Sequence, residues 1–260
     1  MIRHLQMLWL HRELLWVWTA REVRVRYKQS LLGVGWAILQ PLAFTLMFTA
    51  VFSVVVKVPT GGIPYPIFSF TAMLPWTLLA TSVNFGVSSL VSNMNLVTKI
   101  YFPREILPMA ATGAAIVDFL VAGVLYVAML LWYRMPIYPT ALLLPLLLAL
   151  QLALIVGVVL YGAAGLVFYR DIRFLVPLGL QLWLYASPVI YPASLIPERW
   201  QWLYRLNPMV GLLESYRAVL LLGQLPPASL LAPASVISLA LLVSGYLWFK
   251  RVEPAFADLI

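Results

Sequence analysis

Six stretches of this chain, residues 31–56, 66–93, 109–133, 141–167, 174–191 and 229–249, are dominated by apolar side chains. The fourth reads ALLLPLLLALQLALIVGVVLYGAAGLV. A helix of roughly 20 mainly apolar residues crosses the hydrocarbon core of a bilayer and satisfies its own backbone groups while doing so. The pattern predicts an all-α integral membrane protein with six transmembrane helices. Composition agrees: 63% of the 260 residues are hydrophobic and 10% are charged, against about 25% charged in an ordinary soluble domain.

Lys and Arg near span ends stay on the cytoplasmic side. Arg3, Arg12, Arg21, Arg24, Arg26 and Lys28 precede the first span; Lys99 and Arg104, Arg170 and Arg173, and Lys250 and Arg251 follow the second, fourth and sixth. Those twelve of seventeen cations place both termini in the cytoplasm, and an even number of spans requires the termini to share a side. Lys57, Arg134, Arg199, Arg205 and Arg217 fall in the outer connections. The formal charge of +8 suits an anionic leaflet and does not call for nucleic acid. The N-terminus has no apolar run followed by a small-residue cleavage site, so no removable signal peptide is expected.

The whole chain reads as one transmembrane domain. Residues 1–30 form a cytoplasmic interfacial segment, 31–191 spans one to five, 192–227 an outer re-entrant segment, 228–250 span six and 251–260 a cytoplasmic tail. Before the first span, LQMLWLHRELLWVW carries Trp9, Trp16 and Trp18 as candidate interfacial anchors. REVRVRYK alternates like a strand, but an isolated strand beside a membrane leaves its backbone unpaired, so a basic surface helix is expected. In SPVIYPASLIPERWQWLYRLNPM (187–209), Pro188, Pro192, Pro197 and Pro208 break the helix into short pieces. A re-entrant hairpin and an aromatic-rich interfacial loop both satisfy that pattern.

The chemical inventory is narrow. The chain has no cysteine, which excludes disulfides and thiolate sites, and its two histidines, His4 and His11, both lie near the N-terminus. An intramembrane His metal site or a Ser-His-Asp triad is therefore not expected. GxxxxGK[ST] is absent, so no P-loop binds ATP here. Asp118 is the one acid inside an expected span, either a functional carboxylate or a packed, hydrogen-bonded one. Between spans two and three, Lys99, Arg104 and Glu105 supply a polar face and Ile100, Tyr101 and Phe102 an apolar one, with a break at Pro103. A short surface helix docking a soluble partner and a plain basic connection are both compatible with it. Phe44, Phe48 and Phe52 recur at four-residue spacing behind Trp36 and Gln40, and span five adds Gln181, Trp183, Tyr185, Ser187 and Tyr191. Such a row is either an aromatic lining suited to the C–H faces of sugars or ordinary packing.

RVRYKQSLLGVGWAILQPL (24–42), VTKIYFPREILP (97–108), FYRDIR (168–173), SPVIYP (187–192) and LNPMVGLLESYRAVLL (206–221) together resemble the permease subunit of type-2 ABC exporters. The subgroup they resemble exports O antigen, capsular polysaccharide or teichoic acid. The resemblance implies two permease copies working with two copies of a separate ATPase that holds ATP and Mg, in a bacterial cytoplasmic (inner) membrane. No cofactor is implied for this chain. Lys99, Ile100, Tyr101, Phe102, Pro103, Arg104 and Glu105 would then be the coupling helix. Arg21, Arg24, Arg26 and Lys28 would meet the head of a lipid-linked polysaccharide. Phe44, Phe48, Phe52, Tyr185 and Tyr191 would lie near a channel between the two copies. Ser187, Pro188, Pro192, Trp200, Trp202, Tyr204, Asn207 and Pro208 would form its outer gate.

Three other functions compete with that expectation. One is export of a small amphiphile or drug by the same architecture. Another is an intramembrane enzyme acting on lipid-linked sugars, with Asp118 and Glu214 as its acids. The third is a non-transporting scaffold, for which an outer re-entrant segment would be superfluous.

Overall fold

The computed structural model describes residues 11–99 and 102–256, and every regular element among them is helical. Helix α1 (Arg12–Tyr27) stops where Lys28 turns extended (ψ 131°) and Gln29 takes the left-handed region (φ 61°). The alternating REVRVRYK segment is thus helical up to Tyr27. A 3-10 turn at Gly33–Gly35 leads into α2 (Trp36–Phe48), whose last turn widens into π-helix over Thr49–Val55. Thr49 Oγ1 donates to Thr45 O at 2.7 Å where the helix widens, adding a second bond to a carbonyl that also accepts from the Thr49 N–H.

Helix α3 (Tyr65–Ser92) is the axis of the molecule. Its 28 residues extend about 42 Å at 1.5 Å per residue, and most of its length is buried. It packs against α2, α5 (Ile106–Trp132), α6 (Leu144–Phe168), α7 (Ile172–Tyr185) and α9 (Pro208–Arg217). The short α4 (Met94–Lys99) follows it, and α8 (Glu198–Tyr204) precedes α9. The closing helix α10 (Ala228–Val252) lies along α6. At their crossing a Cβ on Gly157 would sit 2.6 Å from Leu241 backbone atoms, and one on Gly245 2.7 Å from Gly157 O. Small residues admit this close approach, and dispersion contacts replace the hydrophobic drive that lipid cannot supply between helices.

Among the described residues, five helical stretches are long and apolar enough to cross a membrane: Gly33–Ser53, Tyr65–Ser92, Ile106–Trp132, Pro139–Phe168 and Ala228–Ala255. They coincide with expected spans one to four and six. The fifth differs. Helix α7 has 14 residues, about 21 Å, against a hydrocarbon core of about 30 Å. The span expected over 174–191 therefore ends early. Pro188 disfavours helix at Ser187, and Ala186 O accepts a hydrogen bond from Asn207 Nδ2 at 3.0 Å.

Candidate functional site: a polar groove and its two ends

Two adjoining cavities run along one side of α3. The first, about 330 Å³, lies between the end of α1, α2, α3 and α5, and Arg26, Tyr27, Trp36 and Asp118 are among its walls. The second, about 290 Å³, lies between α2, α3 and α7, with Phe44, Phe48, Trp76, Gln181 and Tyr185. Gln40, Thr77, Thr81 and Asn84 line both, which makes them one groove. Positions 77, 81 and 84 follow the helical repeat and share a face, so α3 shows a polar strip there and is otherwise largely buried.

The phenylalanine row is a physical ridge. Phe44 and Phe48 stack with centroids 6.2 Å apart, and Phe48 meets Phe52 edge-on at 6.1 Å. Phe44 and Phe48 reach the groove, whereas Phe52 packs against the core. Tyr185 lines the groove, and Tyr191 instead donates its hydroxyl to Tyr185 O at 2.8 Å. Sequence reasoning noticed Gln40 and Gln181 but not Thr77, Thr81 and Asn84, whose helical spacing was the available signal.

At one end of the groove Asp118 finds its partners. Arg26 forms an ion pair with it, and Tyr27 donates to Oδ1 at 2.6 Å. The two charged side chains are 11% and 13% exposed, and the Arg26 guanidinium lies 4.2 Å from the Phe85 ring centroid. Burial, then the bond to Asp118, push the Tyr27 phenol above its ordinary pKa, so it stays a donor. The four cations expected to act together therefore divide: Arg26 turns inward, while Arg21, Arg24 and Lys28 line a separate shallow concavity of about 750 Å³ with Tyr27 and Val34.

Beyond the other end, the SPVIYP segment is held by its backbone carbonyls and by the side chains of Ser187 and Tyr191. Arg217, essentially buried, donates to Val189 O at 2.9 Å and Tyr191 O at 3.4 Å, pairs with Glu214 at 2.9 Å, and lies 3.9 Å from the Phe68 ring centroid. Tyr65 donates to Ile190 O at 2.7 Å, and Glu214 accepts from Ala193 N at 3.1 Å. Asn207 caps α9 by accepting from Met209 N and also accepts from Trp183 Nε1 at 2.8 Å. Its amide nitrogen reaches Ser187 Oγ at 3.0 Å, and Pro208 takes the first helical turn, where its missing N–H is harmless. Tyr204 donates to the Tyr191 hydroxyl at 3.3 Å, and burial raises its pKa above the usual phenol range. Pro188 is buried and Pro192 half-buried, while Trp200 and Trp202 are exposed. Arg217 and Tyr65 were not anticipated; a lone Arg three residues after Glu214 in an apolar run was the visible hint.

The segment before α5 also differs from expectation. Ile100, Tyr101 and the Lys99 side chain lie outside the described residues. Phe102 packs on the cluster around Leu90 and Phe256, and Pro103 is half-buried. Arg104 does not simply face outward, because its backbone N–H donates to Glu253 Oε1 at 3.2 Å and its guanidinium to Glu253 O. Glu105 is 1% exposed and pairs with Lys250 at 2.6 Å, so it belongs to the contact with α10. The carboxylate would be costly to bury without that ammonium.

As enzyme acids, Asp118 and Glu214 are each held by their own arginine in clusters built from different elements. Among the described residues, no three His, Cys, Asp or Glu side chains gather where they could hold a metal ion.

Comparison with known proteins adds an independent line. The model of the family described as ABC-2 type transporter matches residues 13–221. The O-antigen export system permease protein RfbA of Myxococcus xanthus is 32% identical over 265 residues, covering 100% of both chains. A protein of the same name from Klebsiella pneumoniae is 30% identical over 251 residues, 95% of each chain. The polysialic acid transport protein KpsM of Escherichia coli is 24% identical over 245 residues, 90% of this chain and 92% of that one.

Proposed function

Because this chain belongs to the ABC-2 type transporter family, we propose that it is the membrane-spanning subunit of an exporter that moves a lipid-linked polysaccharide across the bacterial cytoplasmic membrane. The groove carries this reading: amides, hydroxyls and aromatic rings alternate along its walls, with a charge pair at one end. Rings offer faces to sugar C–H groups, and polar groups offer exchangeable hydrogen bonds, so a long chain meets many weak contacts and no trap. The relatives that match over nearly the full length are named for polysaccharide export, which favours a glycan over a small amphiphile or drug.

The energy comes from a partner. This chain has no P-loop, so ATP and Mg bind on a separate ATPase; as the family resemblance implies, two copies of each chain work together. Lys99–Glu105 sits where that ATPase docks. Because Glu105 and Arg104 are tied to α10, a push on this segment reaches the last helix as well as α5. Two copies bring their grooves together at a two-fold interface, since one bundle offers only half a wall. In this reading α7 counts as the fifth of six spans and both termini are cytoplasmic. Helices α8 and α9 form the outer re-entrant pair, whose segment 187–208 closes the channel mouth. Arg21, Arg24 and Lys28 gather the anionic head of the lipid carrier at the cytoplasmic surface.

The test is copurification with the neighbouring ATPase, ATP hydrolysis and polymer export, for the parent chain and for Tyr101→Ala with Phe102→Ala. Loss of copurification or of transport-linked hydrolysis is expected. An unaltered chain that never copurifies with an ATPase, together with variants that change nothing, would overturn the proposal.

A further inference from the structure

Gln40, Thr81, Asn84 and Gln181 share a property that packing does not explain. All four line the groove on helices that lie at membrane depth, and among the described residues none of their side chains has a hydrogen-bond partner. An unbonded amide or hydroxyl facing lipid tails costs several kcal/mol. Four on one side of the bundle would be untenable there. This strip therefore meets something that donates and accepts hydrogen bonds equally, as each side-chain amide does. Water qualifies, and so do the hydroxyls of a sugar.

Charge narrows the choice further. Among the described residues, Arg26 is the one cation lining the groove, and it is already paired with Asp118. Arg24 and Lys28, the neighbouring cations on the same segment, line the concavity outside the groove. A carboxylate or phosphate in every repeat of a polymer would lose water beside neutral amides and rings with no counter-charge, at a penalty of several kcal/mol per ion. An uncharged, hydroxyl-rich chain exchanges water hydrogen bonds for amide ones at small net free energy. From this sorting of charge we infer that the groove is the path of an uncharged glycan, with Thr81 and Asn84 contacting its hydroxyls. The inference rests on the exporter reading and adds the charge class of the polymer and the residues that touch it.

The test uses cells that express the intact transporter. The gene is deleted, and the surface glycan that disappears is analysed for uronic acid, sialic acid and phosphate. In parallel, a photoreactive residue is placed at Asn84, at Thr81, and as a control at Val236, an exposed position of α10 that does not line the groove. We expect a glycan free of acidic groups, glycan adducts at Asn84 and Thr81 above the Val236 background, and a several-fold drop in surface glycan for Asn84→Leu that Asn84→Gln largely avoids. A lost glycan with an acidic group in each repeat overturns the charge inference and leaves the exporter standing. A neutral glycan with no adduct at either position, together with full export by Asn84→Leu, overturns the path. If no surface glycan disappears on deletion, the exporter reading itself falls, and the inference with it.

Discussion

Removing the Asp118 carboxylate tests how α1 is held at the mouth of the groove. In Asp118→Ala, the Arg26 guanidinium loses its counter-charge while its side chain is only 11% exposed, and Tyr27 loses the acceptor it reaches at 2.6 Å. Breaking one partner of a buried ion pair costs roughly 3–5 kcal/mol. Stranding a donor that had bonded a charged group adds about 1–2 kcal/mol. Arg26 sits near the helix terminus and can swing toward water, so the lower end of each range applies, about 4 kcal/mol in all. At about 2–4 °C per kcal/mol for a chain of this length, Tm should fall by roughly 8–16 °C. The assay is thermal unfolding followed by tryptophan fluorescence in lipid nanodiscs, for Asp118→Ala, Arg26→Leu, Asp118→Leu and the double Arg26→Leu, Asp118→Leu variant. The double variant should be more stable than Asp118→Leu alone, because it removes the stranded charge. Strictly additive losses, or an Asp118→Ala chain melting within about 2 °C of the parent, would refute the reasoning.

Other contacts yield sharper yes-or-no outcomes. A Cβ built on Gly113 lies 3.5 Å from Thr19 Cβ, within disulfide range, so Thr19→Cys with Gly113→Cys should cross-link in this cysteine-free chain, read as a mobility shift reversed by reductant. Gly157→Ala should lower stability by about 1–3 kcal/mol, because the new methyl meets the α10 backbone, which cannot move aside as a side chain would; an unchanged melting temperature would mean the helices are further apart. Ile190→Cys should resist maleimide in the purified chain and label readily once Arg217→Gln or Tyr65→Phe is added, since those side chains hold the neighbouring carbonyls. Equal labelling in all three backgrounds would show that other contacts hold the segment.

The resemblance to type-2 exporter permeases stated from RVRYKQSLLGVGWAILQPL and the other motifs agrees with the family match over 13–221. That agreement needed no structure, because the motifs are contiguous in the chain. Long-range pairing was a different matter. Asp118 was visible as an odd carboxylate in an apolar helix, but its partner lies 92 residues away on α1, and neither periodicity nor spacing links the two. Glu105 looked like a surface charge beside Arg104, yet Lys250, 145 residues on, draws it inward. Thr77, Thr81 and Asn84 were overlooked because single hydroxyls and amides in a membrane helix usually bond back to their own backbone, as Thr77 does to Met73 O.

Hydropathy and charge placement alone determined the helical membrane class, four of the long spans in sequence and the last, the clustering of cations on alternate connections, and the break at Pro188. These are local properties: a bilayer demands apolar length and internal backbone hydrogen bonds wherever the helix packs. Only the tertiary structure decided the early end of α7, the division of the N-terminal cations between an ion pair and an open concavity, and the grip of Arg217 on the Val189–Tyr191 backbone. Each depends on which faces of distant helices meet, and a buried charge or carbonyl takes its partner from whatever element packing brings within 3 Å or so of it.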